Sequence, residues 1–177
     1  IFARRLRRAK GFVDNDAYLN AEIFTRQFYE PAQEILGSAI AGFIFEQEYH
    51  PKKDRVPAAE LAQGLDVFFH KIPKDTRYHI ELRTEAYLTR PLFEILEKHG
   101  VGLILSHWTW LPPLWKQFTQ SGEKFFNAGK EAVIRLITPL RMSYEDSYAQ
   151  AFPFDKLVNG MLNPEMVEDA VRLILEG

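Results

Sequence analysis

The chain is 177 residues long, 46% hydrophobic, 26% charged and 14% aromatic, the profile of one soluble globular domain with a full core and not of a disordered segment. Its 22 basic and 24 acidic residues leave a net charge of −2, and the absence of cysteine excludes disulfide frameworks, thiolate zinc sites and thiolate catalysis together. No apolar run approaches the roughly 20 residues of a membrane span, and Gly11 to Asn20 holds no apolar signal segment, so the expected setting is cytoplasmic, with no membrane contact.

Position 1 is Ile, which reads as a processed chain or a piece of a longer one. Residues 1–13 form a basic arm, because Arg4, Arg5, Arg7, Arg8 and Lys10 all precede the first acid, Asp14. The remaining 17 basic and 24 acidic groups make the rest of the chain net negative. A basic arm on an acidic body can meet a phosphate-rich partner; a charge cluster this short is also an ordinary solvated helix or loop face.

After Val13, apolar or small residues recur at Ala17, Ala21, Phe24, Phe28, Ala32 and Ile35, a helical spacing with Asp14 or Asp16 as cap and Gly37 at the end. Pro31 should bend this helix or split off its last turn. Ala39 to Phe45 is apolar at both parities and reads as a strand buried on both faces, as in parallel sheets. Pro57 opens a second helix with core face Leu61, Leu65, Phe68 and Ile72, and a strand follows from Tyr78 to Arg83. Thr89 and Gly100 bracket a short helix carrying Leu92, Phe93 and Leu96, after which Val101 to Ser106 is the third apolar strand. A long connection with Pro112, Pro113, Gly122 and Gly129 leads to a fourth strand, Ala132 to Ile137. A last helix is capped by Asn163, starts at Pro164 and should bury Met166, Val167, Ala170, Val171 and Ile174.

Alternating strands and helices predict an α/β fold with a parallel sheet, either an open doubly wound sheet or a (βα)8 barrel. The second strand favours the barrel: Ile80 and Leu82 point one way, while His79, Glu81 and Arg83 point the other. Under a helix that polar face would be costly; in a barrel it faces a lumen whose C-terminal mouth can be wet. A TIM-type barrel has eight strands in roughly 250 residues, so one incomplete barrel-like domain over 1–177, with about four strands, is the expected organisation.

The run Gly42-Phe43-Ile44-Phe45-Glu46, then Glu81-Leu82-Arg83, His99-Gly100-Val101 and Val133-Ile134-Arg135, resembles the YecE-like family of TIM barrels, catalogued as domain of unknown function seventy-two. The resemblance runs from about Phe12 to Gly177 and implies the central part of such a barrel, with further strands on either side. The family often has Gln where this chain has Glu46, and Asp after the strand that here ends Ser106-His107.

In such barrels the reacting groups come from C-terminal strand ends and the loops after them. That rule collects Glu46, Glu48, Glu81, Arg83, Ser106, His107, Arg135 and Thr138. Arg83 and Arg135 suit an anionic ligand, since guanidinium forks match carboxylate and phosphate oxygens. Glu81 and Glu46 can act as general base or hydroxyl acceptor, and His107 can move a proton near neutral pH. A buried Glu81 to Arg83 or Glu81 to Arg135 pair that only fills the lumen is the competing reading.

All three tryptophans lie in or beside the loop after the third strand. Trp108 and Trp110 can stack a sugar or a base, plug neighbouring loops or meet a partner protein. Arg141 and Tyr144 join the same rim. No cofactor is implied, and metal ligation by Glu46, Glu81 and His107 is disfavoured by the two arginines. The expected function is a small-molecule hydrolase, lyase or isomerase acting on an anionic, sugar-like or phosphorylated compound. The alternative is a nucleic-acid or protein binding module that uses the arm and the tryptophan loop, which requires both on one side of the molecule.

Overall fold

The computed structural model describes residues 3–8, 11–139, 142–161 and 163–176. The basic arm is an antiparallel hairpin, β1 (Arg5–Arg8) against β2 (Gly11–Asp14), with Arg5 opposite Asp14. It is an ordered strand pair and not a helix or loop face.

Next, α1 (Ala21–Phe24) runs through a π turn (Thr25–Tyr29) into α2 (Glu30–Leu36). The cap is Asn20, not Asp14 or Asp16: its Oδ1 accepts the Ile23 N–H at 3.1 Å. Pro31 accounts for the π turn. Lacking an N–H and crowding the preceding turn, it is accommodated where the backbone widens to five-residue spacing, with the Glu30 N–H donating to the Thr25 carbonyl. The wider turn shifts the helical phase by about one residue. Tyr29 therefore packs on Phe43, ring centroids 5.3 Å apart, while Phe28 and Ile35 are left exposed, against the regular period.

Four strands follow, β3 (Phe43–Glu46), β4 (Tyr78–Glu81), β5 (Gly102–His107) and β6 (Ile134–Leu136), parallel throughout and adjacent in chain order. They are linked by α3 (Ala58–Lys71), α4 (Arg90–His99) and α5 (Leu114–Gln120). The molecule is thus a mixed α/β fold, a four-stranded parallel sheet flanked by helices. Register aligns Phe45, Ile80 and Leu103, so one face of the sheet is apolar and packs on Leu61, Leu65 and Phe68 of α3 and Leu92 and Leu96 of α4. Each such side chain taken from water contributes about 1.5–3 kcal/mol, which makes this layer the main source of stability. Gly100 ends α4 at φ 66° in the left-handed region, where glycine carries no steric penalty.

Three expectations change. The first strand begins at Phe43 and not Ala39, because Gly37–Ala39 is a 3₁₀ turn, and Ile44 on its second face is 47% exposed. Thr89 occupies the cap position of α4, but its hydroxyl makes no cap bond. After α6 (Tyr144–Ala151), α7 (Pro164–Glu176) buries Leu173 with Ala170 against the core, leaving Val167, Val171 and Ile174 exposed. Its partner there, α5, is only seven residues long and covers one side of the apolar arc. No helix among the described residues is long and apolar enough to cross a membrane.

The opposite face of the sheet is closed at its N-terminal end by His79, buried against Gly102, with Asn127 donating to the Thr76 and Tyr78 carbonyls. Beneath it, Asp75 ties the helical layer to the sheet. It accepts the Tyr29 hydroxyl at 3.0 Å together with the backbone and guanidinium N–H groups of Arg77, whose Nη1 donates to the Ile40 carbonyl.

Two outcomes follow from this geometry. A Cβ at residue 102 would lie 2.8 Å from His79 Nε2, so G102A should lower unfolding stability by about 2–3 kcal/mol in urea titrations. The Arg77 hydrogen bonds hold the Asp75 carboxyl below the usual carboxylate range. Its stabilisation is therefore complete above about pH 4, the unfolded value, and is lost as pH falls through the lowered folded value. D75A should cost about 2–3 kcal/mol at pH 7 and flatten the acid limb of the stability profile.

Candidate functional site

Alternation along the strands assigns Glu46, Glu81, Ser106 and Arg135 to the face away from the helical layer. Register sets Glu46 beside Glu81 and Ser106 beside Arg135. The Glu81 side chain is 0% exposed, and both its oxygens are occupied. Oε1 accepts the Ser106 hydroxyl at 2.5 Å; Oε2 lies 3.2 Å from Arg83 Nη2 and accepts a hydrogen bond from Arg135 Nη1. Glu46 closes the arrangement from the open side, with Oε1 at 2.8 Å from Arg83 Nη2 and Oε2 at 3.5 Å from Arg135 Nη1. Its own side chain is 55% exposed. Two carboxylates thus neutralise two guanidiniums: one pairing is sealed under the sheet's polar face, the other sits at its rim.

The surroundings hold the clamp in place. Arg83 Cζ lies 4.8 Å from the ring centroid of Trp108, a cation–π contact that fixes the guanidinium plane. Where β4 has ended, Ser106 has β6 on one side but no strand on the other, and the buried Gln117 amide takes that open place. Its Oε1 accepts the Ser106 N–H at 3.3 Å, and its Nε2 donates to the Ser106 and Pro112 carbonyls at 2.8 and 2.7 Å. Gln117 was missed in the sequence. A polar residue between Leu114 and Phe118 on the core face of a short helix is the signal that marks it.

His107 stands apart from the clamp. It shares parity with Leu103 and Leu105, so it projects toward the helical layer, fully buried. Its Nδ1 donates to the Thr138 carbonyl at 2.8 Å, since a carbonyl can only accept. The three tryptophans also diverge. Trp108 lies under Arg83 with Tyr144 beside it, ring centroids 6.1 Å apart. Trp110, 53% exposed, stacks on Tyr49 at 5.5 Å. Trp115 is covered by Arg172 of α7, away from the clamp. Arg141 lies outside the described residues. Tyr49, not singled out in the sequence, borders one cleft with Arg4 and Arg5, so the hairpin and the tryptophan loop meet on one side. No group of three His, Asp or Glu side chains placed to hold a metal occurs among the described residues.

The burial contrast separates the two acids. E81A strands two arginine charges and should cost about 3–5 kcal/mol, whereas E46A, at the rim, should cost within about 1 kcal/mol; chemical denaturation of both variants measures the difference.

No protein-family model, no curated protein and no solved structure matches the chain.

Proposed function

We propose that the chain is a YecE-like domain of (βα)8 type whose strand C-terminal ends bind an anionic small molecule, sugar-like or phosphorylated, for hydrolysis, elimination or isomerisation. The barrel reading is supported by the parallel order of the four strands and by a polar cluster on the face opposite the helices. The observation that carries the functional reading is the Glu46 carboxylate, which bridges Arg83 and Arg135 from the exposed side. A carboxylate or phosphate of a ligand matches that bridge in shape and charge.

In this reading the ligand's anionic group takes the place of Glu46 between the guanidiniums. Glu81, saturated by Ser106 and both arginines, positions the clamp and moves no proton. The displaced Glu46, accessible and adjacent, is the group that accepts a proton from a ligand carbon, hydroxyl or water. Trp108, Trp110 and Tyr144 supply flat surfaces for a sugar-like body. His107 supports the loop carrying Thr138 from behind the sheet.

Thermal melts with a panel of phosphorylated and carboxylated metabolites should contain at least one that raises the melting temperature. R83A should abolish that shift. E46Q should tighten inorganic phosphate binding by about two- to fivefold, the worth of an exposed ion pair. A panel without a stabilising anion, or a shift indifferent to R83A, overturns the reading.

A further inference from the structure

A cleft of about 600 Å³ lies between the N-terminal hairpin and the segment from Glu48 to Pro57 that leads from β3 to α3. Its cations are Arg4, Arg5, Lys53 and Arg55, and its acids are Glu48, Asp54 and Glu60. The balance is slightly positive in a chain that is net negative. How those charges are paired separates this cleft from the clamp. In the clamp both guanidiniums are engaged by carboxylates. In the cleft, Arg4, Lys53 and Arg55 make no ion pair among the described residues, and Glu48 turns instead toward His50, 3.9 Å away.

Arg55 has the least satisfied guanidinium of the cleft among the described residues. Its Nη2 donates to the His50 carbonyl at 3.3 Å, which leaves its charge unneutralised, and its Nε is buried without a partner. From the hairpin side, Arg4 lines the same cleft. Two always-charged guanidiniums therefore line the cleft from its two walls, and Lys53 lines it with them. At the rim, the Tyr49 ring lines the cleft and stacks on Trp110 with planes 24° apart. Both rings are exposed, so this pair offers a flat face on which a third ring can stack.

We propose that this cleft binds a phosphate group carried next to a planar ring, the chemistry shared by a free nucleotide and a single-stranded nucleic acid. Arg4, Lys53 and Arg55 hold the phosphate oxygens, and the Tyr49–Trp110 pair stacks the ring. None of Glu46, Glu81, Arg83 or Arg135 lines the cleft, so its phosphate-holding groups are distinct from those of the clamp.

The test is calorimetric titration of the full chain with inorganic pyrophosphate, adenosine monophosphate and a ten-nucleotide oligothymidylate, with tryptophan fluorescence reporting Trp110. All three ligands should bind, and K53A/R55A should weaken each by about tenfold or more. Y49A should weaken the two ring-bearing ligands and leave pyrophosphate unchanged, and R83A, which removes any phosphate bound at the clamp, should leave the binding that K53A/R55A weakens in place. Equal affinity for monophosphate and oligomer assigns the site to free nucleotides; tighter oligomer binding that falls steeply with salt assigns it to single strands. Because Arg55 is partly buried, K53E on the exposed lysine gives the same reading if the double variant does not fold. Absence of binding, binding indifferent to K53A/R55A and K53E, or binding abolished by R83A overturns the proposal, and a Y49A variant that leaves the ring-bearing ligands unaffected overturns the stacking half.

Discussion

Burying a carboxylate costs several kcal/mol unless its charge is matched and its lone pairs are occupied. Glu81 meets that condition with donors from three places: Ser106 on β5, Arg135 on β6 and Arg83 just past the end of β4 itself. A slip of one residue in β5 or β6 would turn Ser106 or Arg135 to the opposite face and leave the charge unmatched. The register of three strands is therefore tied to one buried group. Gln117 extends the same constraint into the loop, because its amide bonds Ser106 on the side that β4 no longer reaches and holds the turn at Pro112.

The two faces of the sheet do different work. On the helical side, aromatic rings from Phe24, Phe43, Phe45, Phe68 and Tyr78 interlock at centroid separations of 5.2 to 6.2 Å, mostly tilted or edge-on, in a dense layer set by ring contacts. On the other side, hydrogen bonds and ion pairs set the geometry, and freedom increases from base to rim: His79 and Asn127 are packed, Glu81 is saturated, and Glu46 is half in water. Such a gradient leaves the group best placed to exchange partners at the point where a ligand would arrive.

Charge pairing divides the surface in a similar way. The clamp's guanidiniums are neutralised internally, so an anion reaching them must compete with Glu46. In the cleft beside the hairpin, Arg4, Lys53 and Arg55 make no ion pair among the described residues. The two places lie close along the chain, since Glu46 belongs to one and Glu48 and Tyr49 to the other. Alternation at the end of β3 and the loop after it aims successive polar residues at different targets.

The sequence by itself determined the alternation of the four sheet strands with α3 and α4, their parallel order, and the grouping of Glu46, Glu81, Arg83 and Arg135, because these follow from period-two alternation and from short links between regular elements; the N-terminal strand pair, α5 and α6 were not legible in it. The core faces of α3 and α4 were legible for the same reason: Leu61, Leu65 and Phe68, like Leu92 and Leu96, keep a regular helical period. Tertiary structure alone decided where that period breaks. The π turn before Pro31 moved Tyr29 into the core in place of Phe28, the short α5 left half of α7's apolar arc uncovered, and parity at the last residue of β5 sent His107 to the helical side. It also brought Arg4 of the hairpin and Tyr49 together across more than forty residues of chain. Periodicity reports which face of its own element a residue occupies; which neighbour covers that face depends on contacts between segments far apart in sequence, and no local pattern encodes them.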